Sequence, residues 1–159
     1  MIDVQSGTIA ARFAIESVGV LGLSHPIKAK DPRTGEVQPT AALWRLGVSL
    51  PAAQRGTHMS RFVEELNART TEPMGPDELL DFTRHVAKTL EAESATTSTS
   101  FSWYRTIAAP VTGKRALLDC QVTFAAEVGL RTVKSITVKV PAKALCPCSK
   151  AISDRGAHN

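Results

Sequence analysis

Hydrophobic and polar residues alternate in two stretches near the beginning of the chain. The clearer stretch runs from Ala42 to Leu50, where every second residue is apolar. This alternation puts the apolar side chains on one face and predicts a half-buried strand. Residues 8–20 give a weaker strand signal, and the proline and glycine residues within 22–36 predict a break with turns. We therefore expect two strands that form a hairpin with a long connection.

Further along the chain, apolar residues recur every three or four positions instead of every second position. This longer spacing covers residues 59–66 and 79–90, which predicts two consecutive amphipathic helices. Thr57 is expected to be the N-cap of the first helix, and Pro76 suits the first turn of the second. Residues 70–75 form the predicted linker between the helices.

Two more strands are predicted after the helices, at residues 101–108 and 118–140, the second with a kink at Gly129. The order strand, strand, helix, helix, strand, strand predicts an α+β module, an antiparallel four-stranded sheet with both helices on one face. Its two open edges are expected to be closed by a second module or a partner subunit. The predicted core consists of Trp44, Leu46, Val48, Phe62, Leu66, Phe82, Val86, Val122 and Phe124.

Composition narrows the possible classes of function. With 159 residues, 43% hydrophobic and 21% charged, the chain is typical of one globular domain. It has no apolar run of the ~20 residues that a membrane span needs and no signal-peptide core, so we expect a soluble, cytoplasmic protein without membrane partners. The net charge of +4 is compatible with an anionic small substrate. Because the basic residues are scattered and only 5% of residues are aromatic, nucleic-acid binding is not expected.

The chain has three cysteines, an odd number that argues against a disulfide framework. Cys120 lies in an alternating run and is expected to be a small buried residue. Cys146 and Cys148 lie close together before His158, and thiolate and imidazole donors suit Zn²⁺, or Fe²⁺ and Mn²⁺ when carboxylates join them. The spacing leaves two alternatives open: a metal site that uses Cys146 and His158, or a short loop with one buried cysteine.

A second candidate site lies at residues 55–61, where the first helix begins. Free backbone amides with His58 and Arg61 beside them suit an anion such as a triphosphate. The alternative is a glycine turn and an ordinary N-cap, with Arg61 solvated and His58 half-exposed, and the residues alone favour it. His25 and His85 are isolated in the sequence, so a turn and a surface position, respectively, are expected for them.

The chain contains two long motifs, LCPCSK at residues 145–150, continued by GAHN at 156–159, and GTHMSRF at 56–62. Both resemble motifs of the type IB GTP cyclohydrolases. Shorter matches follow the same order, so the resemblance covers nearly the whole chain. They are found at residues 3–5, 18–20, 109–111 and 117–119.

The resemblance implies the tunnelling fold, whose unit is an antiparallel four-stranded sheet with two helices between its hairpins. It also implies metal-dependent hydrolysis of GTP to 7,8-dihydroneopterin triphosphate and formate, in folate or pterin biosynthesis, with zinc, manganese or iron as the metal. Cys146 corresponds to the catalytic metal-binding thiolate of the family, and His158 to the motif histidine. By the same resemblance, the candidate contacts to the substrate or its phosphates are His58, Arg61, Ser149 and Lys150.

Members of this family carry two tandem modules. The resemblance therefore implies that residues 1–159 are a single tunnelling-fold module, similar to the N-terminal half, with the metal motif at 145–159. The other metal ligands and the glutamate that anchors guanine belong to the second half, so the chain alone is expected to be incomplete. A homo-oligomer is also implied. The alternative function is a catalytically silent module that binds a partner or a purine-like ligand.

Overall fold

The computed structural model describes residues 13–54, 56–108 and 112–142. The helices and strands within these ranges are β1 (Ile15–Lys30), β2 (Val37–Leu50), α1 (Met59–Ala68), β3 (Pro73–Met74), α2 (Pro76–Thr89), β4 (Ala95–Ala108), β5 (Arg115–Val128) and β6 (Val133–Lys139). The α+β class and the two consecutive helices are confirmed.

One sheet contains all of these strands, in the order β3-β1-β2-β4-β5-β6. The neighbouring strands are antiparallel, apart from β3, which runs parallel to β1. The central four strands, β1, β2, β4 and β5, have the predicted antiparallel arrangement. The predicted number of four strands is wrong, because the sheet has six strands within the described residues.

The sixth strand arises where a kink was predicted. At Gly129 the chain reverses with φ of 147°, a backbone conformation that favours glycine, and a Cβ there would lie only 2.6 Å from Cβ of Ser94. Strand β6 then pairs with β5 in a regular antiparallel register, with Val138 opposite Val122. Alternating apolar residues look the same in a bent strand and in two strands joined by a tight turn. The other additional strand, β3, is only two residues long and falls in the predicted linker.

The predicted break over residues 22–36 is wrong in its first part. Strand β1 continues to Lys30, and it accommodates Gly22 as an irregularity of register between Leu21 and Leu23, with φ of 70° at the glycine. The turn itself covers only residues 31–36. Strand β4 also begins earlier than predicted, at Ala95, because its Ser/Thr-rich start pairs with β2 and β5.

Both helices pack on one face of the sheet, and the predicted core is confirmed. All nine predicted core residues are buried in one cluster. The ring of Phe82 on α2 meets Trp44 of β2 edge-on, with centroids 6.2 Å apart. Cys120 is a buried free thiol, as predicted.

Glu78 ties the first turn of α2 to strand β1. Its carboxylate accepts a hydrogen bond from the backbone N–H of Gly75 at 3.1 Å and pairs with Nζ of Lys30 at 2.5 Å. The Lys30 ammonium has the largest effect on the pKa of Glu78, and together with backbone hydrogen bonds it lowers this pKa from its ordinary value of 4.5. Partial burial of the carboxyl acts in the opposite direction.

We expect Glu78→Gln to destabilise the fold more at pH 7 than at pH 3. A carboxyl whose pKa is lowered by folding contributes stability above its unfolded pKa, and this contribution is lost as the pH falls through the folded value. Urea unfolding at both pH values measures the difference. Glu64→Gln, on the exposed side of α1, is the control, and an equal cost of Glu78→Gln at both pH values would contradict the expectation.

Candidate functional site

Four of the candidate site residues lie outside the described part of the chain: Cys146, Ser149, Lys150 and His158. The donor chemistry of Cys146 and His158 fits a divalent metal of intermediate softness, because thiolate sulfur and imidazole nitrogen are both ligands of Zn²⁺. Residues 13–54, 56–108 and 112–142 contain no group of three or more His, Cys, Asp or Glu residues that could hold a metal. The metal site at 145–159 therefore stays a prediction.

An apolar groove of about 320 Å³ lies beside the last described residues. Its floor consists of buried side chains of β4 and β5, among them Trp103 and Phe124, and the exposed Val138 and Val140 form one wall. Lys30, Asp31 and Arg105 also line it. The groove can hold apolar groups beside a rim that carries charges of both signs.

The start of α1 differs from the prediction. The N-cap is His58 rather than Thr57, no side chain caps the helix, and the first turn contains no acidic residue. His58 is half-buried, as one of the two alternatives predicted. The backbone N–H groups at the start of a helix and a neighbouring imidazole are polar groups that suit an anion.

Arg61 has a structural partner that the sequence did not reveal. Its Nη1 donates a hydrogen bond at 3.3 Å to the backbone carbonyl of Thr89, the last residue of α2. A guanidinium at this end of a helix also interacts favourably with the negative end of the helix dipole. Because the guanidinium carries five N–H donors, this bond leaves others for a second contact. The expectation that Arg61 is simply solvated is therefore wrong.

The two isolated histidines also make polar contacts between elements. His85 on α2 pairs with Glu65 of α1, with Nε2 and Oε2 2.8 Å apart. Because a carboxylate only accepts, this contact puts a proton on Nε2 when Glu65 is ionised. His25 lies on strand β1 rather than in a turn, and its Nε2 is 2.9 Å from Oδ1 of Asn67. Sequence spacing does not show which helix faces meet, so neither pair was predicted.

We expect Arg61→Ala to lower the free energy of unfolding by about 1 kcal/mol, because a carbonyl at the end of α2 loses its charged donor. Urea unfolding measures this cost. Arg84→Ala is the matched control, since Arg84 pairs with the exposed Asp81 one turn away, and we expect it to cost less than about 0.5 kcal/mol. Equal costs for the two variants would contradict the structural role of Arg61.

A second cavity, of about 610 Å³, lies on the sheet face opposite the helices. Its lining includes Gly19 and Gly47 on neighbouring strands, with Arg45, Ser98 and Glu127 around them. Sequence reasoning missed it, although the hydroxyl and glycine residues between the apolar positions of the strands were a signal. Apolar side chains such as Val18 and Leu21 line the rest of this cavity.

Comparison with known proteins gives a match over the full chain. A family model described as type I GTP cyclohydrolase FolE2 matches residues 1–159. The GTP cyclohydrolase FolE2 of Bordetella pertussis is 42% identical over 162 residues, which cover 100% of this chain and 60% of the relative. The relatives of the same name from Methylobacillus flagellatus and Aromatoleum aromaticum are 43% and 38% identical, over 99% of this chain and 59% and 58% of their own lengths. The chain thus spans about 60% of the length of the curated relatives that it matches.

Proposed function

Because this chain belongs to the type I GTP cyclohydrolase FolE2 family, we propose that it forms part of an enzyme that hydrolyses GTP to 7,8-dihydroneopterin triphosphate and formate. The single observation that carries this proposal is the family match over residues 1–159. The antiparallel β1-β2-β4-β5 sheet with two helices between its hairpins supports it. We further propose that the chain is of type IB and is one tunnelling-fold module, similar to the N-terminal half of a two-module enzyme of folate or pterin biosynthesis.

Cys146 and His158 are the proposed metal ligands. A divalent metal, zinc or alternatively manganese or iron, supplies Lewis acidity when bound and lowers the pKa of a coordinated water. The proposed role of Cys146 is to supply the thiolate at the reaction centre, and that of His158 is to supply an imidazole nitrogen. The chemistry of this donor pair supports the assignment.

The proposed substrate contacts are polar groups that suit the phosphates of GTP. Lys150 and Arg61 supply positive charge, and Ser149 and His58 supply hydrogen bonds. The position of His58 and Arg61 at the start of α1 supports this role for both, since the N-terminus of a helix attracts an anion. Arg61 also holds the end of α2, so its guanidinium has both a structural and a binding role in this proposal.

The proposed setting is a cytoplasmic homo-oligomer that binds GTP and neither nucleic acid nor membrane. In the part of the chain that the structure describes, no helix is long and apolar enough to cross a membrane. The chain spans about 60% of the length of its relatives, which supports the proposal that the active enzyme requires further polypeptide.

The test is a fluorescence assay for neopterin, formed by oxidation of the product. We expect the 159-residue polypeptide alone to turn over little or no GTP with Zn²⁺, Mn²⁺ or Fe²⁺, because two protein donors leave the metal bound mostly by water and poorly positioned. Turnover is expected after addition of the unmatched part of the Bordetella pertussis relative.

Two results would contradict this account. Robust turnover by the 159-residue polypeptide alone would show that it builds a complete site by itself. No turnover after addition of the second part, although GTP still binds, would favour the alternative of a silent module that binds a purine-like ligand or a partner.

A further inference from the structure

The apolar groove of about 320 Å³ has a floor and two walls. Buried side chains of β4 and β5 form the floor, among them Trp103 and Phe124. Strand β6 bounds the groove on one side with Val138, and the turn after β1 bounds it on the other side with Pro32. Pockets for small molecules are typically lined in this way, by aromatic and aliphatic side chains with a few polar groups. The groove therefore has the lining of a ligand site.

Three charged residues of the described chain line this groove, and two of them already have partners. The Lys30 ammonium pairs with Glu78 at 2.5 Å. The carboxylate of Asp31 accepts hydrogen bonds from two backbone N–H groups of its own turn, at 2.8 and 3.2 Å. The side chain of Arg105, in contrast, makes no hydrogen bond or ion pair with any described residue. Within the described residues, the groove therefore offers one unpaired charge, and it is positive.

We propose that the apolar groove binds a small aromatic carboxylate, with the ring against the apolar floor and the carboxylate on Arg105. Arg105 follows Trp103 by two residues on β4, so both side chains leave the strand on the same face. A planar guanidinium matches a carboxylate through two parallel N–H···O bonds. The aromatic floor adds ring contacts that an aliphatic acid cannot make. One anionic group on the ligand is specified, because one cation of the groove is unpaired.

The size of the groove favours one or two fused rings over a nucleotide. Its volume is at the lower end of the range of about 300–1,000 Å³ for small-molecule pockets. A nucleoside triphosphate would also need more than one free cation for its phosphates.

The groove is also separate from Arg61, one of the proposed contacts to GTP. Glu78, the partner of Lys30, is in the first turn of α2, whereas Thr89, the partner of Arg61, is its last residue. About 16 Å of helix lie between them. The proposed site is therefore additional to the site of the proposed reaction.

The test is a calorimetric titration of the 159-residue chain with 2-naphthoate and with 2-naphthamide, which has the same rings and no charge. We expect saturable binding of the naphthoate, at least about 10-fold tighter than that of the naphthamide, because only the carboxylate pairs with the guanidinium. Binding is expected to quench the fluorescence of Trp103, and Trp103→Phe is expected to lose this signal while it still binds. Trp44 is buried in the core and does not line the groove.

Substitutions at residue 105 test the role of the charge. Arg105→Gln is expected to weaken naphthoate binding at least about 10-fold and to leave naphthamide binding unchanged. Arg105→Lys keeps the charge and is expected to lose less. Arg115→Gln is the matched control, since Arg115 is an exposed arginine of the neighbouring strand β5 that does not line the groove. It removes the same charge and is expected to bind like the natural chain, and circular dichroism checks the fold of each variant.

The proposal is overturned by any of three results. The first is the absence of saturable binding at millimolar 2-naphthoate. The second is equal affinity for the two probes, or equal losses in Arg105→Gln and Arg115→Gln, which would show that Arg105 does not hold the carboxylate. The third is displacement of the naphthoate by GTP, which would assign the groove to the proposed substrate. No part of this test measures turnover, so its failure leaves the proposed activity standing, and a failure of the activity leaves this site standing.

Discussion

Replacing Cys146 with alanine is expected to remove most of the bound metal, and Cys148→Ala is expected to leave it in place. The proposed donor set contains one thiolate, and a metal site that loses its thiolate keeps only His158 from this chain. Metal content after dialysis, measured in the chain together with the unmatched part of a relative, gives the comparison. Retention of metal by Cys146→Ala and its loss in Cys148→Ala would reverse the assignment.

An independent readout follows from thiol chemistry. A thiolate that binds a metal reacts slowly with alkylating reagents until the metal is removed. We therefore expect chelation to accelerate alkylation at Cys146 more than at Cys148. Cys120 is the internal control, because this buried thiol is far less accessible whether or not metal is present.

Phe82→Ala is expected to be the most destabilising single change in the described core, at about 3–5 kcal/mol. The Phe82 side chain is fully buried, its ring meets Trp44 edge-on, and the guanidinium of Arg69 lies 5.6 Å from its centroid. Removing the ring leaves a cavity at the contact between α2 and the sheet. Urea unfolding measures the cost.

Leu130→Ala is the control for this change, since Leu130 is fully exposed, and we expect an effect within about 0.5 kcal/mol. A cost below about 1 kcal/mol for Phe82→Ala would show that α2 contributes little to the core, in contradiction to the fold described above.

The core and the order of elements were predictable because they depend on which residues are apolar and how they are spaced. The spacing of apolar residues changes between β2 and α1, and this change identifies a strand followed by a helix even when the predicted ends of both are several residues off. Where each strand or helix ends depends on other interactions. Strand β1 passes through Pro26, which pairs with Ala41 of β2, and through Gly22, which is held between paired residues on either side. This pairing overrides the usual preference of both residues for turns.

The number of strands depends on chain reversals that the hydrophobic pattern does not encode. Gly129 carries a tight turn, yet the residues on both sides alternate as one strand would. Strand β3 is too short to show any period. Only its pairing with Lys28 and Ala29 defines it, and such long-range pairing is invisible in local sequence.

The candidate site was predicted from motifs, and of its residues the structure describes His58 and Arg61. The spacing of cysteine and histidine indicated metal donors, and the GTHMSRF motif indicated the start of α1. The partner of Arg61 was not predictable, because it is a backbone carbonyl on another helix. The Glu65–His85 pair was missed for the same reason, since it depends on the rotation of α1 against α2.

Arg61, a residue of the proposed site, also contributes a contact between the two helices. Arg61 and Glu65 both contact the last turns of α2, and the same α1 turn that carries Arg61 follows His58. Substitutions in the GTHMSRF motif at residues 56–62 are therefore expected to change stability as well as binding. Unfolding must be measured for each variant before a loss of GTP turnover is attributed to lost contacts with the substrate.

The most direct measurement of the central claim follows a labelled carbon through the reaction. GTP labelled with ¹³C at C8 of the guanine is incubated with this chain, the unmatched part of the Bordetella pertussis relative and a divalent metal, and the products are observed by NMR. The proposed hydrolysis releases C8 as formate, so the account predicts one labelled formate for each 7,8-dihydroneopterin triphosphate formed. Label that stays in the nucleotide, or in a product that keeps the purine ring, would contradict it.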